Sequence, residues 1–184
     1  MIDSQSNDHS PDTFFILDTS AIIHFEAVLP KQPGIRYIIC SSVLEELKAR
    51  LTQYRFQALE GKEFIAYLDS PPESLTRVLV AARKVGSLKS LSPTDIDVIA
   101  LAVHLKESTT NKIIVVTNDF PIQNVCSFLN ITFQSTSSAF KIKEEIEWAW
   151  ICQFCGQTLE SDQENCLNCG GPPKKVVKRK KRLS

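Results

Sequence analysis

The sequence predicts an α/β fold, a parallel sheet flanked by helices, followed by a small four-cysteine unit near the C-terminus. Three observations predict it. Short apolar runs of β type alternate with helical segments, and no two runs are joined by a hairpin signal, which is the pattern of βαβ units. One run, IIVVT at 113–117, is continuous and β-branched, as a strand buried on both faces is. Outside that alternation, Cys152, Cys155, Cys166 and Cys169 form the pattern C-x2-C-x10-C-x2-C.

The elements follow in order. FFIL at 14–17 is the first strand, and Asp18-Thr19-Ser20 with AIIHF turns it into a helix that Thr19 or Ser20 can cap. Pro30, Pro33 and Gly34 mark a loop before YIIC at 37–40, a second buried strand. It runs into SSVLEEL at 41–47, where Ser42 as N-cap and Glu45 at N3 make a capping box. Residues 53–69 carry Phe56, Leu59, Phe64, Ile65 and Leu68 at roughly helical spacing, which predicts a helix weakened at Gly61 and ended by Pro71-Pro72. Another helix is predicted over 74–85, with Gly86 placed to stop it. Ser92 then reads as an N-cap, with Pro93 at N1 and Asp95 at N3. The helix it opens, IDVIALAVHLKE, is apolar on nearly every side and therefore central. After the strand at 113–117 come Asn118-Asp119, a helix over about 120–129 and a last strand, ITFQ, at 131–134.

This divides the chain into a leader over 1–12, a main domain over 13–135, a polar linker over 136–148, a ribbon over 149–172 and a basic tail over 173–184. A chain of 184 residues is enough for one domain with a core and a small appendage. No apolar run approaches the roughly 20 residues of a membrane span, and the polar N-terminus lacks the pattern of a signal peptide. The expectation is a cytoplasmic protein with no membrane partner; nothing in the sequence specifies an oligomeric state. The net charge of +0 conceals an asymmetry, because seven basic residues and no acid fall in 174–184, leaving fourteen basic against twenty-one acidic residues before them. Lys174, Lys175, Lys178, Arg179, Lys180, Lys181 and Arg182 read either as a solubilising end or as an RNA-binding run that holds phosphates. Cys40 and Cys126 stand in apolar runs and read as small buried hydrophobes, without a disulfide framework.

Two sets of residues carry chemistry. In the cysteine set, each pair is followed by glycine (Gly156, and Gly170 with Gly171), which suits a turn that aims N–H groups at sulfur. Four thiolates close a tetrahedral shell, so the ion is a structural zinc whose binding supplies the folding free energy that so short a segment lacks; iron is the other metal such ligands hold. The second set is acidic. Asp18 follows the first strand, Asp119 lies just past the strand at 113–117, Glu46 falls in the first turns after the second strand, and Asp95 opens the central helix. In an open parallel sheet these places face one crevice. Four carboxylates crowded there need a divalent cation between them, and hard oxygen ligands favour Mg2+ or Mn2+, which activate water and stabilise a leaving oxygen. Asp95 is also explained as half of a capping box. With Glu45 occupied by its own box, Glu46 is the better ligand; Asp97 is a spare. His24 and His104 sit in apolar helices and read as packed or half-exposed. No Walker loop, G-x-G-x-x-G, G-x-S-x-G or H-E-x-x-H is present.

ILDTSA at 16–21, SSVLEEL at 41–47, LSPTDIDVIALA at 91–102 and VVTNDF at 115–120 resemble, in order, the acidic motifs of PIN-domain ribonucleases. FPIQNV at 120–125 and the C-terminal ribbon narrow the resemblance to the PIN and zinc-ribbon endoribonucleases that mature the 3′ end of small-subunit rRNA, in their compact archaeal form. It covers about 14–172. The resemblance implies that Asp18, Glu46, Asp95 and Asp119 bind catalytic Mg2+ or Mn2+, and that Thr117 and Asn118 orient a ligand or water. Asn118 stands where relatives often carry a second acid, so one catalytic ion and two are both compatible. The implied activity is hydrolysis of an RNA phosphodiester to leave a 3′-hydroxyl. The implied partner is small-subunit rRNA precursor or a pre-ribosomal particle, held by the ribbon and tail. A PIN toxin and a non-catalytic RNA-binding assembly factor are the competing readings; the ribbon speaks against the first and the set of acids against the second.

Overall fold

A computed structural model describes residues 13–25, 32–50, 57–58, 62–160 and 163–183. The expected leader over 1–12, Pro30, most of 53–61 and the side chain of His24 lie outside the described residues.

The first body is a sheet of five parallel strands. They are β1 (Thr13–Leu17), β2 (Ile35–Ile39), β3 (Ile65–Tyr67), β4 (Lys112–Val116) and β5 (Thr132–Gln134), in the order β3-β2-β1-β4-β5. The chain winds from β1 outward to β3, then returns to the other side of β1 to lay down β4 and β5. The direction of winding therefore reverses between β1 and β4, which leaves a crevice at their carboxyl ends. Helices α1 (Thr19–Phe25), α2 (Ser41–Arg50), α3 (Pro72–Lys84), α4 (Pro93–Ser108) and α5 (Phe120–Phe128) flank the sheet. In α4 the six residues Val98–Val103 are all buried, so this helix is enclosed by its neighbours as its all-round apolar sequence requires. Its start is the expected one: the Ser92 hydroxyl accepts from the Asp95 N–H at 3.1 Å, and the Asp95 carboxylate accepts from the Ser92 N–H at 2.7 Å.

Two local expectations fail. The helical reading of 53–69 gives way at its C-terminal end to strand β3, which pairs with β2 from Tyr37↔Ile65 to Ile39↔Tyr67. The Tyr37 N–H donates to the Phe64 carbonyl and the Leu68 N–H to the Ile39 carbonyl, both at 3.2 Å, so an open sheet edge outweighs helical spacing. The capping box of Ser42 with Glu45 does not form either. Helix α2 already includes Ser41, since the Leu44 N–H donates to the Cys40 carbonyl at 3.1 Å. Its start is capped instead by Asp69, whose carboxylate accepts from the Ser41 N–H at 2.8 Å and the Ser41 hydroxyl at 2.7 Å. A cap supplied 28 residues away leaves no local sequence signature.

The second sheet is antiparallel, β7-β6-β8, built from β6 (Glu144–Cys152), β7 (Thr158–Leu159) and β8 (Pro173–Arg182). The stretch expected as a linker thus contains the first half of β6, and the basic tail is a strand paired with it from Glu144↔Arg182 to Cys152↔Pro173. Cross-strand charge explains the pairing: Lys180 meets Glu144 at 2.9 Å, and Lys178 meets Glu147.

This hairpin is tied to the first body through α5. The buried Asn124 side chain clasps the Ile146 backbone, accepting from its N–H and donating to its carbonyl, both at 2.7 Å. Gln123, fully buried, donates to the Phe140 carbonyl at 2.6 Å and accepts from the Ile142 N–H at 2.9 Å. At the end of α3 the Trp148 N–H donates to the Val85 carbonyl at 2.9 Å. Gly86 beside it has φ +64°, and a Cβ there would lie 2.6 Å from the Trp148 carbonyl oxygen. Gly86 therefore both ends the helix and lets the hairpin approach.

Candidate active site

The register of the sheet builds the site. Leu17 pairs with Val116, so the next residues along the two strands, Asp18 and Thr117, emerge side by side at the crevice. Asp18 is buried, and its Oδ2 accepts from the Thr117 hydroxyl at 2.9 Å and from the Ser20 hydroxyl at 2.7 Å. Two donors hold Oδ2, and among the described residues none meets Oδ1, which can therefore face a ligand. The Thr117 hydroxyl also accepts from the Asp119 N–H at 3.0 Å, which fixes the turn that carries Asp119. Asp95 arrives from the first turn of α4. One carboxylate oxygen each from Asp18, Asp95 and Asp119 lie within 4.8 Å of one another. Burial raises the Asp95 pKa from its ordinary 3.8; the Ser92 N–H and hydroxyl oppose this, and the charges of Asp18 and Asp119 add to it. Such a set repels itself and is relieved by a cation. Oxygens at this spacing fit the shell of a small divalent ion, whose Mg–O distances are about 2.0–2.1 Å.

Glu46 does not join the three. It stands beside them, accepting from the Thr19 hydroxyl at 2.8 Å and pairing with Arg50 at 3.3 Å. Asp97 also stays outside; its charge acts on Cys40, whose thiol is pushed up by burial first and then, against local hydrogen bonds, by Asp97 and Asp69. Asn118, expected to orient a ligand or water, holds the neighbouring chain with its side-chain oxygen. Its Oδ1 accepts from the Thr136 N–H and hydroxyl, both at 3.0 Å, while its own N–H donates to Ser20.

The four ribbon cysteines likewise converge, all sulfurs lying within 4.8 Å of one another. Cys152 and Cys169 are 3.3 Å apart, and Cys155 and Cys166 3.7 Å. Four sulfurs about 2.3 Å from a central tetrahedral zinc would be separated by roughly 3.8 Å, so the set fits a zinc ribbon. Gly156 and Gly170 take positive φ of 73° and 70° in the two turns, as the sequence suggests, and the Phe154 N–H points at Cys152 Sγ at 3.4 Å. The N–H of Gln157, with help from neighbouring thiols, lowers the Cys155 pKa to about 6. For Cys169 the Gly171 N–H works in the same direction, but the Cys152 and Cys155 sulfurs overcome it and push the pKa up to about 12. Four sulfurs this close cannot all ionise without a cation among them.

A family model described as the PIN domain of ribonuclease matches residues 15–105, the span that contributes Asp18, Glu46 and Asp95. Endoribonuclease Nob1 of Archaeoglobus fulgidus is 33% identical over 84% of this chain and 86% of its own length. The chain belongs to the Nob1 endoribonuclease family. Endoribonuclease Nob1 of Methanocaldococcus jannaschii is 34% identical over 89% of the chain and 78% of its own. Ribonuclease VapC1 of Thermoplasma acidophilum is 31% identical over 92% and 81%, a span too long for the first body alone.

Within this Nob1-family chain, the expected RNA-binding residues are less uniform than a tail would make them. Lys178 and Lys180 are paired with glutamates. Lys175 is half-buried, 4.8 Å from the Trp148 ring centroid and 3.3 Å from the Ser90 hydroxyl, and burial lowers its pKa. Among the described residues no ion pair engages Lys174, Arg179, Lys181 or Arg182, which stand exposed on β8. Sequence reasoning missed Ser20 as the bridge between Asp18 and the Asn118 backbone, and Gln123 and Asn124 as the clamps on the hairpin. The signal for the clamps was there: two amides in the middle of FPIQNVCSF, a stretch otherwise apolar enough to be buried.

Proposed function

We propose that this protein is a divalent-metal-dependent endoribonuclease that cuts small-subunit rRNA precursor at the 3′ end of the mature RNA. The observation that supports it most is the convergence of Asp18, Asp95 and Asp119 at the sheet's switch point, in a chain related to proteins named endoribonucleases. Mg2+ or Mn2+, when bound, supplies the positive charge that lowers the cost of attacking a phosphodiester.

The chain's residues then have distinct tasks. Asp18 Oδ1, Asp95 and Asp119 hold the ion. Thr117 and Ser20 lock Asp18 through its other oxygen, so that its free oxygen keeps one direction. Glu46 fixes Thr19 next to Asp18 and adds its negative charge beside the three acids. The cysteine set holds a structural zinc that folds the ribbon. The cations of β8 that are in no ion pair among the described residues hold RNA phosphates.

The test is incubation of the protein with a small-subunit rRNA 3′-precursor fragment and Mn2+, beside Asp18→Asn and an unrelated RNA of equal length. The wild type should cut the precursor at one place and the variant should leave it intact. Equal cutting by both would refute the site. Equal cutting of both RNAs would favour a ribonuclease of other specificity, as the similarity to Ribonuclease VapC1 allows.

A further inference from the structure

Phe120 immediately follows the candidate ligand Asp119, and its side chain is 52% exposed at the start of α5. Packing gives no reason for a phenylalanine there, since the same helix buries Ile122 and Val125 on its other side. It lines a cavity of about 810 Å³ between α5 and the β6–β8 hairpin. The other wall carries Lys141, Lys143 and Arg182. Among the described residues none of these three is in an ion pair, whereas Glu144, the acid lining the same cavity, is already neutralised by Lys180. The backbone of this wall is tied to α5 by Asn124 at Ile146 and by Gln123 at Ile142.

We propose that this cavity is the channel for the single-stranded RNA adjoining the cleaved bond, with one base stacked on Phe120 and the next phosphates held by Lys143 and Arg182, Lys141 lying alongside. The idea rests on the endoribonuclease reading and adds to it a place for the substrate. Three features favour this occupant. The volume lies in the range of small-molecule sites, about 300–1,000 Å³, and so admits a nucleotide rather than a duplex. An exposed ring beside unpaired cations is the combination that binds unpaired strands, in which every base offers a face to stack. Phe120 is the residue after Asp119, so a base stacked on its ring would set which phosphodiester reaches the ion. A duplex would keep its bases stacked on one another and leave Phe120 nothing to receive.

The test measures binding of a short fluorescein-labelled single-stranded RNA and of a duplex of the same sequence, without added Mg2+ or Mn2+ so that neither is cut. Phe120→Ala should weaken single-strand binding about five- to a hundredfold, leave duplex binding unchanged, and be rescued by Phe120→Trp. Its melting temperature should match the wild type, because the ring is half-exposed. The pair Lys143→Gln and Arg182→Gln should flatten the salt dependence of single-strand binding by about 1.4 in log–log slope, roughly 0.7 per lost phosphate contact. Unchanged binding by Phe120→Ala, an equal loss for duplex, or an unchanged slope would overturn the proposal. Mn2+-dependent cutting by the same wild-type preparation separates the two readings. Loss of binding in Phe120→Ala with no cutting by the wild type would remove the nuclease and keep the channel. Normal cutting with normal binding by Phe120→Ala would remove the channel and keep the nuclease.

Discussion

Asp95→Asn isolates the electrostatic cost of the acidic cluster. Asparagine keeps an oxygen for the Ser92 N–H and leaves the Ser92 hydroxyl bond to the backbone intact, so the helix start survives. What it removes is one of three carboxylates with oxygens within 4.8 Å of one another. A like-charge pair at that range costs about 1 kcal/mol in a water-like medium and about 3–4 kcal/mol at an effective dielectric of about 20. Asp119 is exposed and Asp95 only half-buried, so the lower figure applies. Against it stands the lost charge at a helix N-terminus, about 0.3–1 kcal/mol. The raised Asp95 pKa decides the sign, because the fold disfavours the ionised form. Asp95 makes two such pairs, with Asp18 and Asp119, so the relief is about 2 kcal/mol. Less the helix-end loss, this leaves a net gain of about 1 kcal/mol, which raises the melting temperature by about 2–4 °C in a chain of this size.

The pH dependence follows from the same shift. Asp95 titrates higher in the folded protein than at its unfolded value of 3.8. The wild type therefore bears the penalty above the folded pKa and loses it as pH falls towards 3.8. Thermal unfolding at pH 8 and pH 4, with zinc retained and no other divalent ion, should show the variant more stable at pH 8 and indistinguishable at pH 4. Addition of Mn2+ at pH 8 should then stabilise the wild type and leave the variant nearly unmoved. A variant less stable than wild type at pH 8 without Mn2+ would refute the reasoning.

Three further outcomes are expected. Gly86→Ala places a Cβ 2.6 Å from the Trp148 carbonyl oxygen at φ +64° and should cost about 2–4 kcal/mol by chemical denaturation, the sum of left-handed strain and overpacking; a cost under about 0.5 kcal/mol would mean that the hairpin does not pack there. Asn124→Leu strands both the N–H and the carbonyl of Ile146, and should destabilise the protein by about 2–5 kcal/mol while freeing the hairpin, read as faster amide exchange at 144–148 with α4 still protected. Replacing zinc by Co2+ should give the strong thiolate-to-metal absorption of a four-sulfur tetrahedral site, and chelation should expose Trp150, which packs on Cys152, Cys166 and Leu159, to solvent by its fluorescence; a spectrum without sulfur character would remove the metal from the ribbon.

The strands and helices that were legible in sequence are those whose signals are local. Runs such as 113–117 announce their burial by composition, and Ser92-Pro93-Thr94-Asp95 carries a complete helix start within four residues. The acids Asp18, Asp95 and Asp119 were legible for a related reason, since each directly follows or opens a strongly patterned element. Contacts that depend on distant partners were not. Asp69 caps α2 from the loop after β3, and β3 itself exists because β2 offers an edge, so spacing alone pointed to a box and a helix. Glu46 was preferred to Glu45 through a capping box that does not form; its carboxylate accepts from the Thr19 hydroxyl and pairs with Arg50. The polar stretch before the ribbon looked like a linker because its glutamates find their lysines 31 and 36 residues later.

The central claim is that one carboxylate cluster both holds a divalent ion and cuts RNA. Titration of Mn2+ into the zinc-loaded protein, followed by the loss of the free-ion paramagnetic resonance signal, tests it most directly when run on wild type, Asp18→Asn and Asp119→Asn. The account predicts saturable binding to the wild type, loss of that binding in both variants, and loss of RNA cutting in the same two. Mn2+ binding that persists in both variants, or cutting that continues once binding is gone, would contradict it.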